Sequence, residues 1–112
     1  MFHDELKDKM DRFVHLVYKT TRFFPREEIY GVISQLRRSA LSVILNYVEG
    51  YARQRKAVLK NFLQISYGSL KEAGYLVEFS EAEGFLGAQE KKEIMNLADE
   101  IGAMLWKTME NI

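Results

Sequence analysis

Two adjacent arginines, Arg37 and Arg38, stand ahead of the apolar run ALSVILNYV, and a second basic cluster, Arg53, Arg55, Lys56 and Lys60, follows Glu49-Gly50. Side chains of this kind bind phosphate, because guanidinium and ammonium groups donate charge-assisted hydrogen bonds to its oxygens. Chemistry beyond charge is sparse. His3 and His15 are the only imidazoles, and Asp11 with His15 forms an i, i+4 pair that could share a metal but lacks a third ligand. Ser34, Ser39, Ser42, Ser66 and Ser69 have no histidine in their own segments to act as base. Gly84 and Gly87 are not followed by the Lys-Ser/Thr of a phosphate-cradling loop, and there is no cysteine. The expectation is a protein without catalytic residues, cofactor or metal.

The 112 residues suit one domain, 1–112, with a single core. Hydrophobic residues make up 47% and charged residues 29%, with one proline, a composition that folds by packing alone. No apolar run reaches the roughly 20 residues of a membrane span, and MFHDELKDKMDR lacks the apolar core of a signal peptide, so a cytoplasmic location is expected. Sixteen basic and sixteen acidic side chains cancel, which excludes a strong global attraction to nucleic acid. Their distribution is uneven: residues 52–60 carry +4, while 61–84 carry −3 and 85–112 carry −2.

Helical periodicity runs through the chain, and no strand alternation competes with it. The first helix has an apolar stripe of Leu6, Met10, Phe13, Val14, Val17 and Tyr18 and ends near Arg22. Pro25 suits the first turn of the next helix, which is therefore expected to start at Pro25 or Arg26 and to break close to residues 50–54. Its core stripe is Ile29, Val32, Ile33, Leu36, Ala40, Val43, Ile44, Tyr47 and Tyr51. The third helix carries Val58, Leu59, Phe62, Leu63, Ile65, Ser66, Ser69, Leu70, Ala73, Leu76, Val77 and Phe79, with Gly68 and Gly74 tolerated, and its small residues point to close helix approach. EAEGFLGAQ is a turn, and the last helix uses Ile94, Leu97, Ala98, Ile101, Leu105, Thr108 and Ile112, with Trp106 on another face. Four long helices joined by short loops predict an all-α, antiparallel up-down-up-down four-helix bundle. That connectivity places Arg53, Arg55, Lys56 and Lys60 at one end and Lys19 and Arg22 at the other.

The second helix has more apolar surface than a bundle core needs. Beside its core stripe run Leu41, Leu45 and Val48, and on the opposite flank lies a polar stripe of Gln35, Ser39, Ser42, Asn46, Glu49 and Arg53. Leu41 and Leu45 would be exposed on a monomer, which points to self-association; a broad core that takes in both strips is the alternative. Arg37 borders the core stripe and Arg38 lies beyond the second apolar strip, so the pair cannot act as one cluster. Arg37 could snorkel or meet a carboxylate from another helix, and Arg38 could reach a partner subunit or a phosphate. Glu49 with Arg37, Arg38 or Asn46 is the one polar constellation, read as an intersubunit hydrogen-bonding set in preference to an acid–base pair.

The runs FPREEIYGVISQLRRSALSVILNYVEGYAR, Phe24 to Arg53, and KNFLQISYGSLKEAGYLVE, Lys60 to Glu78, resemble the large-subunit ribosomal RNA intervening-sequence proteins. The matching positions are Phe24, Pro25, Glu28, Tyr30, Gly31, Gln35, Leu36, Arg37, Arg38, Ser42, Asn46, Glu49 and Gly50, with Gly68, Ser69, Leu70 and Glu72 in a second block. Ile44 stands where the family has proline, and Tyr47-Val48 where it has Ile-Ala. The resemblance implies a bacterial four-helix bundle that assembles into a ring-like homo-oligomer, typically a pentamer. The accessory proteins of diversity-generating retroelements are similar bundles but strongly basic, unlike this neutral chain.

Two functions compete on these residues. In one, an oligomer presents Arg53, Arg55, Lys56 and Lys60, with Arg38, to RNA or DNA phosphates, while Arg37, Arg38, Leu41, Leu45, Asn46 and Glu49 form the subunit interface. In the other, the apolar strip and the acidic third and fourth helices hold a protein partner, with no nucleic acid.

Overall fold

The computed structural model describes residues 1–112 and contains four α-helices and no strand: α1 (Phe2–Thr21), α2 (Val32–Ala52), α3 (Lys56–Ala82) and α4 (Ala88–Glu110). They pack as a rod of 43 × 25 × 18 Å in which each helix touches its neighbours in sequence and α4 closes back onto α1. Leu6, Met10, Phe13 and Val17 of α1, Leu36, Ala40 and Val43 of α2, Leu63, Leu70 and Val77 of α3, and Ile94, Ile101 and Leu105 of α4 join in one apolar core. No helix is long and apolar enough to cross a membrane.

The register of the pairs is regular. Ser39 meets Glu72, Ser42 meets Ser69 and Gly50 meets Phe62, so numbers rise along α2 as they fall along α3. Lys9 meets Glu100 across α1–α4, and Gly74 meets Met95 across α3–α4.

One boundary differs from the sequence expectation. Pro25 opens a short 3₁₀ turn, Arg26–Glu28, and α2 begins only at Val32. Pro25 is extended (φ −55°, ψ 135°), and the Glu28 side chain turns forward so that its Oε1 accepts from the Val32 N–H at 3.3 Å. A carboxylate there satisfies a donor that the helix leaves open and complements its positive end. Ile29 therefore leaves the core and is half exposed, and Tyr30 is almost wholly exposed. Three other apolar residues of the helical patterns lie outside. Ile65 and Phe79 sit on the outer side of α3, where Ser66, Ala73 and Gly74 occupy the inner positions, and Ile112 lies beyond the end of α4. Tyr51 is also partly exposed, its ring 4.9 Å from that of Tyr47.

Small residues let α2 and α3 approach closely. A Cβ on Gly50 would stand 3.0 Å from Phe62 Cβ and 3.1 Å from Leu59 Cδ1, and Phe62 Cβ cannot yield without moving α3. The turn from α3 to α4 depends on Gly84, whose φ of 82° suits glycine. There the Gly84 N–H reaches the Glu81 carbonyl and the Phe85 N–H that of Ser80, both at 2.9 Å, closing α3 with paired C-terminal hydrogen bonds. Phe85 then packs on Phe24 from the α1–α2 connection, with ring centroids 5.6 Å apart.

The opposite end is closed by aromatic rings. His3 Nδ1 and the Tyr47 hydroxyl share a hydrogen bond of 2.8 Å, and Tyr51 stands 5.0 Å from the imidazole. Burial raises the Tyr47 phenol well above its ordinary value, and the nearby Tyr51 and Asp4 add to the shift. An unfolded phenol ionises near pH 10. The buried one does not, so this contribution to stability is whole below that pH and falls as pH rises through it.

Three stability outcomes follow. In urea unfolding, Gly50→Ala is expected to lose about 1 kcal/mol, the overpacking cost exceeding the gain in helix propensity. Gly68→Ala, whose Cβ would meet nothing within 4 Å, should gain about 0.5–1 kcal/mol by the same propensity. Tyr47→Phe should lose about 1 kcal/mol at neutral pH through the His3 hydrogen bond. The gap between that variant and wild type should narrow as pH is raised beyond 10.

Candidate nucleic-acid interface

The turn between α2 and α3 is three residues long, Arg53 to Arg55, and it concentrates the basic cluster. Arg53 closes α2 in an extended conformation, and Arg55 precedes the first turn of α3 in another. Lys56 is the first residue of α3 and Lys60 lies one turn on, so the two point from the same side of the helix. All four are exposed.

They are not equivalent. Arg53 Nε lies 2.9 Å from Glu49 Oε2, and its guanidinium stands over the Phe62 ring at 5.4 Å. Arg55, Lys56 and Lys60 have no carboxylate within ion-pair distance. Of the four cations around this turn, three are therefore unpaired. Arg38 is elsewhere: it lies fifteen residues before Arg53 on the same helix, about 22 Å along the axis, and its Nη2 donates to Ser34 Oγ at 3.1 Å.

The residues proposed for an interface separate in the same way. Arg37 meets no carboxylate. Its Nε donates to Thr21 Oγ1 at 2.8 Å, its Nη2 reaches the Tyr18 carbonyl at 3.4 Å, and its guanidinium lies 4.5 Å from the Tyr18 ring centroid. A cation on the last carbonyls of α1 complements the negative end of that helix. Asn46 turns back to the Ser42 carbonyl and hydroxyl, both at 2.8 Å, and Glu49 is taken by Arg53. The expected constellation of Glu49 with Arg37, Arg38 or Asn46 does not assemble within the chain, because each finds a partner about one turn away or on α1. The apolar strip divides: Leu41 packs partly against the core, whereas Leu45 is 59% exposed and Val48 44%.

The polar stripe of α2 has a role that its composition did not assign. Ser39 Oγ donates to Glu72 Oε1 at 2.5 Å, Ser42 and Ser69 share a hydrogen bond of 2.7 Å, and Ser66 Oγ donates to the Val43 carbonyl at 2.6 Å. Ser39, Ser42, Ser69 and Glu72, with Gln35 and Arg38, line a groove of about 450 Å³ between the two helices. Serines three apart on each helix were the available signal; which faces met was not readable. The His3–Tyr47 bond spans 44 positions and leaves no local mark in the sequence.

Elsewhere two charged contacts involve α1. Lys9 Nζ contacts Glu100 Oε1 at 2.7 Å and holds that carboxyl below its usual range through the hydrogen bond and its charge. Asp11 and His15 lie 3.4 Å apart on exposed surface, and no third residue of metal-binding type stands with them.

This arrangement has solved counterparts. A protein of unknown function from the S23 ribosomal protein family of Bacteroides thetaiotaomicron VPI-5482 is similar at 23% identity, over 98% of this chain and 99% of that one, with a TM-score of 0.91. At that identity the likeness speaks for the fold. Comparison with curated proteins gives no match. The sequence model described as 23S rRNA-intervening sequence protein matches residues 4–107, a span that takes in the α2–α3 turn and reaches into all four helices. The chain belongs to the 23S rRNA-intervening sequence protein family.

Proposed function

We propose that this chain is a non-enzymatic bundle subunit, its helices running antiparallel in up-down-up-down order as one domain, that assembles into a ring-like homo-oligomer and contacts RNA or DNA phosphates through its basic end. The observation that carries the reading is the set of three unpaired cations, Arg55, Lys56 and Lys60, around one short turn. Three phosphate contacts per subunit are weak alone; multiplied by symmetry they become usable through effective concentration. A neutral chain suits such a contact, since attraction confined to one end orients the ligand where a uniformly basic surface would not. Pentameric assembly is what the family resemblance implies, with Arg37, Arg38, Leu41, Leu45, Asn46 and Glu49 the residues first assigned to it. Support within the chain is strongest for Leu45 and Val48, which leave apolar surface uncovered on α2.

That same surface favours a second reading, a protein adaptor that uses the α2 strip for a different partner and binds no nucleic acid. A cytoplasmic location is common to both readings.

In a nucleic-acid binding assay, Arg55→Glu with Lys56→Glu should abolish most of the affinity, while Arg53→Gln, already neutralised by Glu49, should lose far less. Affinity should fall with salt at a log–log slope of about −2 to −3 for each engaged subunit. A double reversal that binds as wild type does would refute the basic-end contact. In sedimentation, Leu45→Glu is expected to reduce the wild-type mass to that of the monomer; an unchanged mass removes Leu45 from the assembly.

A further inference from the structure

A groove of about 310 Å³ runs between α3 and α4 beside the basic turn, lined by Lys60, Gln64, Tyr67, Trp106, Met109 and Glu110. Met109 is buried. Trp106, the chain's only tryptophan, is 52% exposed although its ring centroid stands 5.4 Å from that of Tyr67. Tyr67 in turn carries the Lys71 ammonium 5.2 Å from its centroid. One groove thus offers an aromatic pair, an unpaired ammonium on Lys60 and an amide on Gln64 that can donate and accept. Lys56 stands one turn up the same face of α3.

From this combination we infer that the α3–α4 groove is a stacking site for a base of a single-stranded polynucleotide, with Trp106 and Tyr67 as the platform and Lys60 and Lys56 on the flanking phosphates. The inference rests on the phosphate-binding reading of the basic end and gives it a preferred ligand. Aromatic side chains beside cations are how proteins hold unpaired strands, because every base has a face to stack, while a duplex keeps its faces inside. The groove's volume of about 310 Å³ lies at the small end of the roughly 300–1,000 Å³ of ligand pockets, a scale that suits a single base. Charge agrees in part: Glu110 is the one carboxylate on the rim, and it does not pair with Lys60. Its charge opposes a phosphate, which makes it a useful variant.

Because Trp106 is the only indole, its emission reports directly on the groove. Untagged protein would be titrated at low salt with a fluorescein-labelled deoxythymidine strand of about 15 nucleotides, the uridine equivalent and a duplex of the same length. Label anisotropy would be followed alongside tryptophan emission. Either strand should quench the emission with the midpoint that anisotropy gives, the tighter of the two identifying RNA or DNA as the source, and the duplex should leave it nearly unchanged. Trp106→Leu should weaken strand binding on the order of tenfold, with Trp106→Phe losing less. Glu110→Gln should tighten it about two- to fivefold. Helical circular dichroism checks that the variants fold. Strand binding by anisotropy with unaltered emission and an unaffected Trp106→Leu variant would overturn the stacking site and leave the basic-end contact standing. No anisotropy change with strand or duplex would overturn both.

Discussion

Hydroxyl groups hold α2 and α3 together more closely than apolar side chains of ordinary size would permit. Ser39, Ser42 and Gly50 on one helix face Glu72, Ser69 and Phe62 on the other, Ser66 reaches the Val43 carbonyl, and each buried hydroxyl is satisfied by a partner across or along the pair. A buried hydroxyl without a partner costs a sizeable fraction of a domain's stability, so these contacts fix register as well as distance. A slide by one turn would leave the Val43 carbonyl without Ser66 and drive Gly50 past Phe62. The basic turn inherits its geometry from this lock, because three residues connecting two closely packed helices have little freedom to move. Charge at the end of the bundle is therefore positioned by polar packing in its middle.

Four helices were readable from apolar spacing because each buries one stripe, and the stripes of α1 and α4 coincide almost residue for residue with the core. The start of α2 was not. Proline is equally at home before a helix and at the head of a 3₁₀ turn, and the choice fell to Glu28, whose side chain caps a helix that begins after it. On α3 the small residues of the pattern pointed to close approach, but the pattern did not separate the inward face from the outer one. Ile65 and Phe79 are hydrophobic and outside, while Ser66 and Gly74 are not strongly hydrophobic and inside, since close approach to α2 and α4 selects small side chains over greasy ones.

Charge was legible as a count and not as an inventory of free groups. Four cations cluster in the sequence, but Glu49 removes one of them at the helical spacing that favours such pairs. Likewise the arginine pair divides by face: Arg37 closes the end of α1 with two oxygens and a ring, and Arg38 stays in solvent beside Ser34. Partners contributed by another helix lie beyond sequence spacing, and so did the Tyr67–Trp106 groove, whose halves are 39 residues apart and meet only once α3 and α4 are placed.

Phe2 and His3 line a cavity of about 220 Å³ together with Tyr51, Thr108, Asn111 and Ile112, so the first and last residues of the described chain share the end that carries the basic turn. An affinity tag fused at either of these positions consequently emerges at the end that carries Arg55 and Lys56. A polyhistidine tag brings titratable cations of its own to that place, and below about pH 6.5 it would add phosphate-binding charge that the protein lacks. Nucleic acid that co-purifies with a tagged preparation therefore reports on tag and protein together, and only cleavage of the tag separates the two.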